Sequence, residues 1–137
     1  MNGELIFYAA RKTSLCERSL KKSFTELDLR LAKTTFAPNV KMLGELVSAS
    51  LDKNDIVFIS GGLDLGSGID SAGIFERVFA ENRPEIMKKI SNENGSDGYL
   101  FATDKQIIVL LPDEPEQIES MMQGPLSSFV KSYSDRI

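Results

Sequence analysis

The sequence predicts an α/β domain with a mostly parallel sheet between helical layers, on three observations. Strand-like and helix-like segments alternate from residue 4 to the last helical pattern, as in sheets whose strands are joined by helical crossovers. Asp55 leads into a four-residue apolar run, Ile56 to Ile59. That run is too short for a helix and reads as a strand buried on both faces. It stops at Ser60-Gly61-Gly62, a loop carrying Gly66 and Gly68 follows, and a helical pattern then places Ile74, Phe75, Val78 and Phe79 on one face. A chain of 137 residues is one ordinary domain, residues 1–137, with a sizeable core.

The remaining elements follow in order. Residues 4–10 read as the first strand. Ser14 and Glu17 have the spacing of a capping box, opening a helix with Cys16, Leu20, Phe24 and Leu27 on one face. Residues 29–37 read as a second strand, alternating imperfectly through Leu31, Thr35 and Phe36. Pro38-Asn39 punctuates it, and a second helix runs to about Leu51 with Leu43, Leu46 and Val47 inward. Pro84 is expected to start a helical stretch through Ile86, Met87 and Ile90. It ends in the turn-rich segment 92–98. Residues 99–103 and 106–111 read as two strands in a tight reversal. Asp113 and Glu116 have capping-box spacing for a last helix with Ile118, Met121, Met122, Leu126, Phe129, Val130 and Tyr133 on one face. Gly124-Pro125 should kink or break it.

Composition removes several classes of function. Apolar residues make up 42% of the chain, and no apolar run approaches a membrane span. The first residues lack the basic and apolar regions of a signal peptide, so a cytoplasmic location is expected. Sixteen basic against twenty acidic residues give a net charge of −4 with no basic cluster, which argues against nucleic-acid binding. There is no His and one Cys, Cys16. Ser-His-Asp and Cys-His mechanisms and His-based zinc sites are therefore excluded. No haem, flavin or zinc is expected. A metal here would be a hard cation such as Mg²⁺ held by oxygen, and proton transfer would fall to Asp, Glu, Lys or Tyr. Cys16 lies at core spacing and reads as a small buried apolar residue.

The candidate site lies where the predicted strands end, since ligands of open parallel sheets sit at the carboxyl ends of strands. Those ends carry Arg11-Lys12, residues 60–70 and Pro112-Asp113-Glu114. A buried strand, a glycine-rich loop and a helix N-terminus together cradle anions. Glycine lets the backbone approach closely, and first-turn N–H groups point at the ligand. Ser60, Gly61, Gly62, Gly66, Ser67, Gly68 and Ser71, with Arg11, Pro112, Asp113 and Glu114 on the same rim, are thus candidate ligand contacts. The loop is neither GxGxxG followed by an acidic residue nor GxxxxGK[ST], which rules out dinucleotide and P-loop assignments. Asp64 and Asp70 are candidate Mg²⁺ ligands and catalytic carboxylates, although Asp70 taken alone reads first as a helix N-cap and Asp64 as a solvated loop residue. Arg11 would add positive charge, or with Lys12 simply form a solvated turn. Asp113, Glu114 and Glu116 stand open between a capping box and a metal-binding acidic turn.

The segment from Asp55 to Ser71 resembles the central motif of the molybdopterin-binding MoaB/Mog domain, shared with CinA-type (competence/damage-inducible) proteins. In that family a buried strand ends in Ser/Thr-Gly-Gly-Thr/Leu-Gly. The segment from Ile107 to Ile118 looks like the family's second motif, an apolar strand running into Leu-Pro-Gly-x-Pro-x-Glu and a helix. The resemblance spans nearly the whole chain. It implies a three-layer α/β/α sandwich, often a trimer, with a small anionic ligand: a pterin phosphate or its adenylylated form. It also implies Mg²⁺- and ATP-supported adenylylation of molybdopterin or molybdate insertion, or, for some CinA-type domains, hydrolysis of a nucleotide pyrophosphate. The chain departs from the pattern at Ala9-Ala10-Arg11, where the family has Gly-Asp/Thr-Glu. It departs again at Asp64 and Asp113, each in place of a glycine, and at Gln117 in place of Glu.

The leading expectation is therefore a molybdopterin- or nucleotide-binding domain related to molybdenum cofactor biosynthesis, with a degenerate catalytic site, in a homo-oligomer (trimer or dimer). Two alternatives stand beside it. One is a Mg²⁺-dependent nucleotidyl transferase or nucleotide pyrophosphatase using Asp64 and Asp70, which needs no His. The other is a non-catalytic assembly domain.

Overall fold

A computed structural model describes residues 2–63, 86–92, 95, 97–103 and 106–134. Among them a six-stranded sheet runs in the order β2-β1-β3-β6-β5-β4. Its strands are β1 (Asn2–Tyr8), β2 (Arg30–Ala37), β3 (Ile56–Ser60), β4 (Ile86–Ile90), β5 (Gly98–Ala102) and β6 (Ile107–Leu111). The helices among the described residues are α1 (Thr13–Glu26), α2 (Val40–Leu51), α3 (Pro115–Gln123) and α4 (Pro125–Ser134). β2, β1, β3 and β6 are mutually parallel, and β5 and β4 add antiparallel to β6. The expected mostly parallel α/β fold is present. The expected third helix lies outside the described residues.

The strand period of two separates the core into two layers. Leu5, Phe7, Ile56, Phe58, Ile107 and Val109 face α1, α3 and α4, packing with Leu20, Phe24, Ile118, Met121, Met122 and Val130. Ile6, Tyr8, Val57, Ile59, Ile108 and Leu110 face α2, packing with Leu43 and Val47. β3 and β6 are buried at every position, as their unbroken apolar runs require.

Several local expectations are corrected. β1 begins and ends two residues earlier than expected. Ser14 does not cap α1. The cap position is Lys12, in a left-handed conformation at φ 53°, and no side chain among the described residues caps it. At α2 the cap is Asn39, whose Oδ1 accepts from the Met42 N–H at 2.9 Å. The stretch after Pro84 is not helical at its apolar residues: Ile86, Met87 and Ile90 belong to edge strand β4. Their spacing fits a helical face. However, Ile86 and Ile90 also share one side of a strand, and pairing with β5 decides in favour of the strand. Its exposed Lys88 and Lys89 guard the edge against further pairing. β5 and β6 form the expected reversal. The last helix is divided at Gly124 into α3 and α4, where Pro125 cannot continue the hydrogen-bond ladder.

Among the described residues, no helix is long and apolar enough to cross a membrane.

Candidate functional site

β1 hands the chain to β2 on one side and β3 stands on its other side, so the strand order reverses between β1 and β3. Loops leaving the carboxyl ends of two such strands diverge and open a crevice, the usual ligand position in doubly wound sheets. The residues at those ends are Ala9, Ala10, Arg11 and Lys12 after β1, and Gly61 and Gly62 after β3. Pro112, Asp113 and Glu114 follow β6, the next strand along. The fold thus gathers three of the sequence-predicted clusters on one rim.

The turn after β3 has defined geometry. Ser60 is fully buried, and its hydroxyl donates to the Pro112 carbonyl oxygen at 3.0 Å. The Gly61 N–H donates to the Leu111 carbonyl oxygen at 2.9 Å. Gly61 and Gly62 have φ of +96° and +72°. A Cβ on Gly61 would lie 2.4 Å from the Tyr8 carbonyl oxygen and 2.7 Å from Ala10 Cβ. One on Gly62 would lie 2.3 Å from Tyr8 Cδ2. Both positions therefore need glycine for conformation and for space. Asp64, Gly66, Ser67, Gly68, Asp70 and Ser71, expected as ligand contacts and Mg²⁺ ligands, lie outside the described residues.

Across the end of β3, the β1 and β6 loops are joined by two ion pairs. Asp113 Oδ2 accepts from the Arg11 backbone N–H at 2.8 Å and from Arg11 Nε at 3.3 Å. Lys12 Nζ donates to Glu114 Oε2 at 2.7 Å. The Glu114 hydrogen bond and charge raise the Lys12 pKa above its ordinary value. Because β1 and β6 flank β3, this clasp spans the end of the central strand. Asp113 does not cap α3, whose cap position is Glu114 with Pro115 at its first turn. Both carboxylates are engaged by cations, and no group of three or more Cys, Asp or Glu able to hold a metal ion occurs among the described residues. Glu116, in the first turn of α3, suits the positive end of the helix dipole. The Arg11 side chain remains 79% exposed, so its outward face stays open to solvent.

Cys16 is buried in the core under this rim. Burial and the nearby Asp113 charge push its thiol from 9.0 up to about 11, and the Ser60 hydroxyl partly opposes them. A thiol neutral in the fold but ionising at lower pH when unfolded makes stability fall as pH rises from about 9 towards about 11. The thiol is also expected to resist alkylation at pH 8 in the native protein and to react readily in urea, which timed iodoacetamide labelling would show. Rapid labelling of the folded chain would contradict that burial.

Sequence reasoning missed two features of this rim. One is the clasp, whose partners are 102 residues apart. The other is Phe36, at the end of β2, which stacks on Phe7 with ring centroids 5.3 Å apart and is 61% exposed. An aromatic residue two positions before Pro38, at the carboxyl end of a polar strand, was the available signal. Gln117, where the resembled family has Glu, accepts from Asn92 Nδ2 at 2.8 Å and ties α3 to the segment after β4.

The strand order and the helices on both faces define a doubly wound α/β domain. The fold is that of the molybdopterin-binding MoaB/Mog domain, shared with CinA. A CinA protein of unknown function from Thermoplasma acidophilum superposes with a TM-score of 0.71 at 15% identity, over 94% of this chain and 97% of that one. The molybdopterin biosynthesis enzyme MoaB from Thermus thermophilus gives 0.67 at 11% identity, over 96% of each chain. The molybdopterin biosynthesis Mog protein from Mycobacterium ulcerans gives 0.72 at 13%, over 99% of each. At these identities the likeness is one of fold. No family model matches the chain, and no curated protein matches it in sequence.

Proposed function

We propose that this chain is a binding domain for a small phosphate-bearing ligand of the pterin or nucleotide class, related to the domains of molybdenum cofactor biosynthesis. The observation that carries the reading is the Gly61-Gly62 turn. Two consecutive glycines at positive φ end the central buried strand, at the point where strand order reverses. Such a turn brings backbone close to a ligand without side chains in the way. Solved structures of the same fold are described as molybdopterin biosynthesis proteins, which supports this ligand class. Arg11 contributes charge from its exposed face. Ser60 shapes the turn from below and is committed to Pro112. The first-strand turn is Ala9-Ala10-Arg11 where the resembled family has Gly-Asp/Thr-Glu, so a basic group stands in place of an acidic one, and we assign binding rather than catalysis to the described rim.

The test is a thermal-shift screen with molybdopterin, ATP, AMP, ADP-ribose and molybdate, each with and without Mg²⁺. A ligand at a hundred times its Kd stabilises the native state by about 2.7 kcal/mol, readily seen in a domain of this size. Stabilisation without Mg²⁺, weakened by Arg11→Ala and unaccompanied by turnover, is the expected result. Turnover of ATP or ADP-ribose that requires Mg²⁺ would replace the binding reading with an enzyme dependent on Asp64 and Asp70. No shift with any compound would leave an assembly domain.

A further inference from the structure

The far edge of the sheet carries one residue out of pattern. In β4, Ile86, Lys88 and Ile90 share one side of the strand, the side on which α4 packs. Alternation calls for an apolar residue between the two isoleucines, and a lysine stands there instead. Its register partner in β5 is Leu100, which is buried. Beside this pair, between α4 and the sheet, lies a cavity of about 250 Å³. Ile90, Leu100, Leu126 and Phe129 form its apolar walls. Lys88 and Ser91, both exposed, line it where it meets solvent.

A charge on the inner face of an edge strand discourages further pairing. That accounts for a lysine, but not for an apolar cavity next to it. The two lysines of β4 also differ in their partners. Lys89 Nζ is held by Asp97 at 3.0 Å, whereas Lys88 makes no ion pair among the described residues. A lysine whose stem lies along apolar surface holds its ammonium at the water boundary. Here that places one positive charge over an apolar space. A dry cavity of roughly 150 Å³ with such walls admits benzene, so about 250 Å³ leaves room for a ring and a short chain. One lysine suits a monoanion, whereas a phosphate dianion calls for several strong donors. Lys88, Leu100, Val109 and Phe58 form one row across four strands. Three strand spacings, about 14 Å, therefore separate this cavity from β3 and its glycine turn.

We propose that this cavity is a second ligand site, which takes a small monocarboxylic acid with an apolar body. The body enters between α4 and the β4–β5 hairpin, against Leu100, Leu126 and Phe129. The carboxylate stays at the opening, paired with Lys88, and the Ser91 hydroxyl supplies a further donor. Aryl and alkyl acids share that chemistry. The site stands apart from the carboxyl rim and does not depend on what binds there.

The experiment is an NMR titration of the nitrogen-labelled full chain with 3-phenylpropionate, octanoate, 3-phenylpropanamide and acetate. It is carried out on the unsubstituted protein, on Lys88→Gln and on Phe129→Ala. The exposure of Lys88 makes its substitution compatible with folding, and melting curves check both variants. We expect saturable binding of at least one of the two larger acids, with amide shifts centred on Ile90, Ser91 and Leu100. The amide should bind more weakly and acetate not at all. Lys88→Gln should weaken the acid about 5- to 15-fold, between the loss of an exposed ion pair and that of a charge-assisted hydrogen bond, and leave the amide unchanged. Phe129→Ala should weaken acid and amide alike. Where Phe129→Ala does not fold, Lys88→Gln and the amide decide. The tighter of 3-phenylpropionate and octanoate tells an aryl from an alkyl body. No saturable binding of either acid overturns the site, as does acetate binding as tightly as they do. Equal binding of acid and amide, or an acid affinity unmoved by Lys88→Gln, overturns the role of the lysine and the proposal with it. Shifts centred on Gly61 and Gly62 place the acid on the carboxyl rim and overturn the location. A change in oligomeric state on Lys88→Gln, with acid binding unaltered, assigns the lysine to self-association instead and overturns the proposal.

Discussion

Phe58→Ala is expected to lower the unfolding free energy by about 3–5 kcal/mol, the cost of deleting a fully buried aromatic side chain. Phe58 is 0% exposed and occupies the middle of β3, the central strand. Its register partners are Leu5 in β1 and Val109 in β6, and its ring lies 4.8 Å from that of Phe24 in α1 at an angle of 55°. The truncated site would be walled by strand neighbours fixed in hydrogen-bonded register, so it can collapse little, and the cavity cost adds to the lost burial. Domains of this size have about 5–15 kcal/mol in all. The variant should therefore melt far below the parent, and urea titration should show a reduced midpoint. A loss under about 1 kcal/mol would mean that this core is not packed as described.

Gly61→Ala is the second large effect and acts on the site as well as the fold. A side chain at φ +96° is strained, and its Cβ would meet the Tyr8 carbonyl oxygen at 2.4 Å. That oxygen belongs to the backbone at the end of β1 and cannot rotate away. Conformational strain of about 1–2 kcal/mol and overpacking of about 1–3 kcal/mol together predict a loss of roughly 2–5 kcal/mol. Gly44→Ala provides the contrast. Gly44 lies inside α2 with nothing within 4 Å of the new Cβ, so that change should stabilise by up to about 1 kcal/mol. Denaturation midpoints moving in opposite directions would confirm that glycine is needed at the turn for geometry rather than for composition. If Gly61→Ala were neutral, the backbone approach between the β1 and β3 ends would be looser than described, and the case for a built anion turn would weaken with it.

The parts of the fold visible in the sequence are those set by local pattern. The apolar runs of β3 and β6 could be read because a strand covered on both faces has no polar position to interrupt it. Helices α1 and α2 could be read from their periodicity, and the division at Gly124-Pro125 from the chemistry of proline. β4 could not be read in this way. Five residues, Ile-Met-Lys-Lys-Ile, satisfy a helical face and a strand face alike, and only the presence of β5 alongside selects the strand. The start of α1 was misplaced for a related reason. Ser14 and Glu17 have the right spacing for a cap, but the chain leaving β1 must turn sharply over the sheet, and Lys12 takes the left-handed turn that sets the helix start.

The candidate site divides along the same line. Paired glycines ending the central strand, the lack of any His chemistry, and charged residues at the ends of other strands are all visible in the amino-acid order. These are properties of composition and of neighbours in the chain. That Arg11 and Lys12 face Asp113 and Glu114, that the two pairs span the end of β3, and that Phe36 and Ser60 lie in one row with Phe7 between them follows from the assembled sheet alone. Such relations depend on strand order and register. Both are chosen by the burial of whole faces across the sheet, a cooperative balance that no local stretch of residues contains.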